Sequence, residues 1–336
     1  MSFLSLRRYR HFQTLKLCRG NHSRRASIRK TASGKRDNPS NNKRKWYALG
    51  AVTTSTLGFW AWKANNSWQQ ALGPLAPDYF IPAVLASSEK TSENTRLLRL
   101  AVRPDTISGA SNAFFQPIWT IYVKDSDIQV ERPYTPFEGI SSGGEMTFWV
   151  KKYEHGEVGR WLHRRTPGEK IEIRGPEQTW AWQDDTWDNV VMVAGGTGIA
   201  PFHQLLHALF SDPTKIPKTR FTLLHSYRSS KELPPPVILD SLSTWKDKNP
   251  QNLRVHTFVD SRDGEFEKDD LVVGRINKDI LKSALRNTGG RTIVLVCGPD
   301  PMINALAGPK GRNESQGPLG GALGSLNDGT FQVWKL

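Results

Sequence analysis

Hydrophobic and polar positions divide the chain into distinct stretches. From about residue 80 to 180 the apolar residues come in short runs: Phe80–Leu85, Thr95–Val102, Trp119–Lys124, Met146–Tyr153 and Lys170–Ile173. Turn residues separate them, and Thr95–Val102 alternates with the period of two that marks a half-buried strand. No long helical period interrupts this region; one short helix is expected around Gly159–Leu162. Several short strands at close spacing predict a small antiparallel barrel over 81–183.

From about Thr186 the pattern changes. Asn189–Ala194 is an apolar run of buried-strand length, followed at once by Gly195, Gly196, Thr197 and Gly198. Ile199–Phe210 then places Phe202, Leu205, Leu206 and Leu209 at helical spacing. Strand, glycine turn and helix form the opening unit of a nucleotide-binding α/β domain. Phe221–Tyr227, Leu253–Val259 and Arg291–Cys297 read as further strands, the last running into Cys297-Gly298-Pro299-Asp300-Pro301-Met302. Loops at the C-terminal ends of such strands make the ligand crevice, and both the GGTG and CGPDPM turns fall there. The expected architecture is α+β, a barrel followed by a parallel α/β domain over 184–336.

Ahead of the barrel, Trp46–Trp62 is 17 residues without a charge, bounded by Lys43-Arg44-Lys45 and Lys63. That length is at the short limit for a membrane-spanning helix, and Trp46, Tyr47, Trp60 and Trp62 stand at its ends, where interfacial aromatics belong. A single membrane helix over 46–63 is expected; a buried helix or packed arm is the other reading. Residues 64–80, with Pro74 and Pro77, read as a linker.

Charge sharpens the picture. The net charge of +14 suggests nucleic-acid binding until it is located. Of the 46 Lys and Arg residues, 14 lie in residues 1–45 with one acid, Asp37, which leaves 32 basic and 31 acidic residues in the rest. A nearly neutral body has no basic groove for a phosphate backbone, so no nucleic-acid partner is expected. The Arg- and Ser-rich, acid-poor start instead predicts a mitochondrial targeting segment over 1–45. A basic flank stays on the side from which insertion starts. The expected location is therefore the mitochondrial inner membrane, with the folded body facing the intermembrane space. Cys18 and Cys297 are the only cysteines and no Cys/His cluster exists. This excludes a cysteine-ligated iron–sulfur cluster and a structural zinc on this chain, and no metal site is expected.

Taken singly, each motif has a plain structural reading: Arg132-Pro133-Tyr134-Thr135-Pro136 as a strand end with a proline turn, His155–Gly159 as a loop, GGTG as a βα turn. In order, however, RPYTP, the VKKY run with its glycine turn, IRGP at 173–176, GGTGIAPF and CGPDPMI resemble the ferredoxin–NADP reductase superfamily, in its NADH–cytochrome b5 reductase branch. The likeness covers roughly residues 80–305. It implies a six-stranded FAD-binding barrel and a nicotinamide domain. It also implies that Arg132 and Tyr134 would hold the FAD phosphate and flank the isoalloxazine. Thr135 would hydrogen-bond the flavin near its reactive nitrogen. Val150, Lys151 and Tyr153 would line the flavin and its diphosphate. Gly156, Val158 and Gly159 would offer backbone groups to the diphosphate, although the family usually carries Ser where Gly159 stands. Thr197 would touch the flavin, while Gly195, Gly196 and Gly198 would allow close approach of NADH or NADPH. Cys297, Gly298, Pro299 and Met302 would frame the nicotinamide. Thr135 and Cys297 are thus expected beside the hydride step. In the loop after the second strand, Glu232 points to NADH by repelling a ribose phosphate and Arg228 points to NADPH; the balance leans to NADH.

A narrower likeness concerns the PIWTIYVKDSDIQVERPYTP stretch, the N-terminal span and the closing VWKL. These are similar to a fungal family of mitochondrial flavoproteins linked to cytochrome c import and haem attachment. It implies a haem or haem-protein acceptor, with cytochrome c and its haem lyase as partners. An ordinary cytochrome b5 reductase, or a non-catalytic assembly scaffold, would carry the same motifs.

Overall fold

The computed structural model of the protein describes residues 73–108, 115–214, 216–261, 271–286, 289–312 and 315–336. The expected targeting segment and the expected membrane helix lie outside them. Among the described residues no helix is long and apolar enough to cross a membrane.

Six strands build the first sheet: β1 (Ile81–Lys90), β2 (Thr95–Ala101), β3 (Trp119–Asp125), β4 (Val130–Tyr134), β5 (Glu145–Lys151) and β6 (Lys170–Gln178). Their order is β4-β3-β6-β1-β2-β5 and every pairing is antiparallel. The period of two is visible in β1, where Ile81, Ala83 and Leu85 are buried and Val84 is exposed. Helix α1 (Glu157–Arg164) adds Val158, Trp161 and Leu162 to the core of this sheet. Residues 73–80 correct the linker reading. Leu75 is buried in the same core, its N–H donates to Thr106 O at 2.9 Å, and Gly175 N donates to Ala76 O at 2.9 Å. An apolar side chain between two prolines gains more by packing on the sheet than by crossing solvent.

The second sheet is parallel throughout, in the order β10-β9-β8-β7-β11-β12. Its strands are β7 (Asn189–Gly195), β8 (Arg220–Ser229), β9 (Leu253–Ser261), β10 (Leu271–Val273), β11 (Thr292–Cys297) and β12 (Phe331–Lys335). All seven residues of β7 are buried, as a central strand covered on both faces must be. Helices α2 (Ala200–Phe210), α3 (Pro236–Lys248), α4 (Lys278–Leu285) and α5 (Asp300–Ala307) connect the strands. The closing VWKL is part of edge strand β12, with Trp334 opposite Leu295 and 37% exposed.

One hydrophobic cluster runs through both sheets' territory. Ile118, Phe137, Trp149 and Trp180 of the first join Ile199, Phe202, Leu205 and Tyr227 of the second. The Trp149 and Tyr227 rings lie 6.3 Å apart. A shared apolar core of this kind holds the two sheets as one body.

Candidate active site

The crevice forms where the C-terminal ends of β7, β8 and β11 meet the ends of β4 and β5. Helix α2 fixes this meeting. Gln204 Oε1 accepts from Trp119 N at 2.9 Å, and Gln204 Nε2 donates to Trp119 O at 3.1 Å and to Pro136 O at 2.9 Å. His203 Nδ1 donates to Phe137 O at 2.7 Å. Both side chains are buried, and burial pushes the His203 imidazole down to about 4, against a weaker opposing pull from the Phe137 carbonyl. The ring is therefore neutral, with its proton on Nδ1. These bonds tie the helix that follows GGTG to the two residues that follow RPYT. The two motifs are held at a set separation by groups that neither contains.

The first wall carries Arg132, Tyr134 and Thr135. Arg132 is exposed, and its guanidinium donates to its neighbour's carbonyl, Glu131 O, at 2.8 Å. Tyr134 and Thr135 are half-buried, and burial raises the Tyr134 phenol far above its ordinary value, so it stays uncharged. Beside them, α1 begins at Gly156 with no side-chain cap, which leaves the N–H groups of its first turn unclaimed by a side chain. Val150 and Val158 are packed in the core, 1% exposed each, so only their backbone groups can reach a cofactor. The Val150 carbonyl is already shared with His163 Nε2 at 3.1 Å. The departure at Gly159 has a packing cause. A Cβ there would lie 2.9 Å from Lys151 O, so the close seat of α1 on β5 requires glycine.

The second wall is built by close approach of the two turns. A Cβ on Gly198 would lie 2.5 Å from Cys297 O, and one on Gly195 would lie 2.6 Å from Met302 Sδ and 2.9 Å from Pro299 Cδ. Gly298 and Gly195 are equally crowded, with the Gly298 Cβ position 3.1 Å from Gly195 Cα. Gly196, at φ +55, faces open space: nothing lies within 4 Å of its Cβ position. Cys297 stands on this floor as a neutral thiol, pushed up to about 11 by burial against a weaker pull from Lys310. It frames the site without acting as a thiolate.

Across the mouth the walls touch. Lys151 Nζ donates to Glu232 Oε2 at 2.7 Å, joining β5 to the turn Ser230–Glu232 after β8. Tyr153 is half-exposed. Burial raises its phenol, and a side-chain interaction with Thr197 and the charges of Glu232 and Arg228 act on the same hydroxyl. Of the residues singled out from the sequence, Lys151, Tyr153, Thr197 and Glu232 come together at the mouth, and Gly195, Gly198, Cys297, Gly298, Pro299 and Met302 crowd one another on the second wall. The ion pair was not foreseen, and neither were Gln204 and His203. The donor set fits a flavin dinucleotide: an exposed guanidinium and an uncapped helix start suit its diphosphate, and half-buried tyrosine faces suit its ring system. Among the described residues no group of His, Cys, Asp and Glu side chains can hold a metal ion. A cleft of about 530 Å³ lies away from this site, lined by His207, Trp245 and Glu138 among others.

Comparison with known proteins accords with this geometry. Residues 82–182 match the family described as an oxidoreductase FAD-binding domain, and residues 192–307 match the oxidoreductase NAD-binding domain. The chain is 34% identical over 258 residues to NADH-cytochrome b5 reductase 2 of Neurospora crassa, covering 75% of this chain and 71% of the relative. It is 31% identical over 260 residues to the protein of the same name from Debaryomyces hansenii, covering 77% and 83%. Among solved structures, the cytochrome b5 reductase domain of Ulva prolifera nitrate reductase shares the fold at a TM-score of 0.59, with 21% identity over 78% of this chain and all of that domain.

Proposed function

We propose, from the premise that this chain belongs to the cytochrome b5 reductase-like branch of the ferredoxin–NADP reductase family, that it passes electrons from NAD(P)H through FAD to a haem iron. It is a FAD- and NAD-binding oxidoreductase. The observation that supports the reading is the stitching of RPYT to GGTG by Gln204 and His203, which would hold a flavin-facing wall opposite a nicotinamide-facing one. Bound FAD supplies a hydride acceptor that releases electrons singly. The chain's own residues orient and shield. Arg132 and the first turn of α1 would bind the diphosphate. Tyr134 would flank the ring, and the Thr135 hydroxyl would donate to it. Thr197 and the 195–198 backbone would set the nicotinamide's distance, and the neutral Cys297 thiol would leave no charge beside the transferring hydride.

The acceptor in this proposal is ferric haem of a haem protein in the mitochondrial intermembrane space, kept reducible for attachment to cytochrome c. The curated relatives are named as reductases of cytochrome b5, which supports a haem-protein acceptor and makes a general cytochrome b5 reductase the second reading. The basic, acid-poor residues 1–45 and the uncharged 46–62 support a mitochondrial membrane anchor.

The test is the visible spectrum of the purified full chain before and after anaerobic NADH, followed by turnover with haem, cytochrome c and cytochrome b5. A flavin spectrum that bleaches, with haem or cytochrome c reduced faster than cytochrome b5, is the expected result. Preference for cytochrome b5 would favour the second reading. Absence of bound flavin after FAD is added would sink the enzyme and leave a scaffold.

A further inference from the structure

The first sheet carries a second concavity that the flavin reading does not use. It encloses about 320 Å³ between the turn joining β1 to β2, the end of β5 and the solvent side of α1. Lys90, Arg96, Lys152, Arg160 and Arg164 line it, with Glu93 as the one acid. Five positive charges against one negative make a local +4, whereas all of the chain after residue 45, with 32 basic and 31 acidic residues, carries +1. None of the six takes part in an ion pair among the described residues. The residues next to them do. Lys151 pairs with Glu232 at 2.7 Å, and Arg165 pairs with Glu169 at 3.0 Å. The surface around the hollow is therefore charge-compensated and the hollow is not. Its cations repel one another, a cost that a bound anion removes.

The backbone holds these cations in place. Lys152 N donates to Asn94 O at 2.9 Å, which ties the end of β5 to the turn after β1. Arg96 Nη1 donates to Ser88 Oγ at 3.0 Å and leaves Nε and Nη2 with no acceptor among the described residues. Arg160 Nε donates to Gly156 O at 3.2 Å and leaves both its terminal nitrogens unclaimed in the same way. Arg96 and Lys152 are half-buried, while Lys90, Arg160 and Arg164 are exposed, so the hollow has a cationic floor and a cationic rim. A flat acidic face would meet the rim alone. A compact anion reaches both. The hollow is too small for the run of phosphates along a nucleic acid.

We infer that this hollow binds a dianionic phosphate group, with Arg96, Lys152 and Arg160 as its contacts. Free guanidinium N–H pairs suit phosphate oxygens, and the ammonium adds a point charge. The site shares no side chain with the diphosphate site assigned to Arg132 and the first turn of α1. A free phosphate compound and a phospholipid head group offer the same chemistry, and the test separates them.

Titration calorimetry with inorganic pyrophosphate, on the full chain loaded with FAD and saturated with NAD⁺, reads the hollow while the phosphate sites of the crevice are filled. Arg96→Gln and Arg160→Gln should each weaken binding about tenfold. Arg164→Gln, at the exposed rim, should weaken it less, and Lys282→Gln, which removes a charge from α4 outside the hollow, should leave it unchanged. Flavin content, read from the visible spectrum, should be the same in all of these proteins. Flotation with phosphatidylcholine vesicles, with and without phosphatidic acid, covers the second source. Pyrophosphate binding that depends on Arg96 and Arg160 assigns a free phosphate. Association that requires phosphatidic acid and is lost in Arg160→Gln, with no pyrophosphate heat, assigns a head group. Neither signal, or equal binding by wild type and the hollow variants, would overturn the inference and leave the reductase reading intact. Flavin released by Arg160→Gln would overturn it as well, because the hollow would then be part of the flavin site.

Discussion

Two of the contacts between the walls of the crevice differ in kind. Behind the site, Gln204 and His203 join α2 to Trp119, Pro136 and Phe137 through neutral hydrogen bonds in a dry core. At the mouth, Lys151 and Glu232 join through charges that water still reaches. Neutral bonds in a low-dielectric interior are rigid and costly to leave half made. A partly exposed ion pair is weaker, is screened by salt and reopens readily. The inner seam therefore suits a part that has to stay in register, the flavin side. The lip suits a part that has to admit and release a dinucleotide.

The inner seam should yield the largest effect. Gln204→Ala removes three hydrogen bonds from the core, to Trp119 N, Trp119 O and Pro136 O, of which Pro136 O keeps a second donor in Gly139 N at 3.1 Å. A loss of about 3 kcal/mol of unfolding free energy is expected, from unpaired buried groups and the cavity together. Denaturant unfolding measures it, and released flavin should accompany it. A loss below about 1 kcal/mol would mean that the shared apolar core, and not this side chain, sets the register.

Acid should open the same seam next. Burial lowers His203 from 6.5 to about 4 and His225 from 6.5 to about 3. Both rings are neutral when folded and take up a proton more readily when unfolded. Their contribution is complete above pH 6.5 and is lost as pH falls through the folded values. For His203 the lowering corresponds to about 3 kcal/mol. Stability should therefore begin to fall just below pH 6.5, earlier than carboxylate titration alone would cause, and His203→Leu should flatten the onset. Unfolding curves that superpose from pH 6.5 to pH 5 would contradict this.

The sequence revealed the parts of the site but not their joints. The seven-residue β7, its glycine turn and the 3.6-residue period of α2 were legible because one buried strand and one apolar helix face leave clear patterns. The same period concealed the inner seam. Phe202, Leu205 and Leu206 mark the face towards the sheet, while His203 and Gln204 are buried by a second surface, the first sheet, which no local pattern announces. Two adjacent polar residues near the start of a mostly apolar helix were the available signal. Strand β4 showed only as a strand end with a proline turn, because Pro133 and its four exposed or half-buried partners in the strand carry no buried alternation. Gly159 read as a missing hydroxyl; its cause, the carbonyl of Lys151, lies in another element. The Lys151–Glu232 pair joins residues 81 positions apart, and such a pairing exists only once the walls have docked.

That pair gives the smallest and sharpest test of the contrast. The exposures of 13% and 23% set it above a free surface pair and well below a dry one. A double-mutant cycle of Lys151→Met and Glu232→Gln should return a coupling of about 1 kcal/mol at low salt, shrinking as ionic strength rises. The matching control at the inner seam, the stability loss from Gln204→Ala measured at low and high salt, should show no such dependence, because no charge is involved. A lip coupling of about 3 kcal/mol that ignores salt would make the mouth a second fixed seam, and the dinucleotide would then have to enter without parting it. A coupling near zero would mean that the apolar contacts behind the mouth, and not this pair, hold the lip in place.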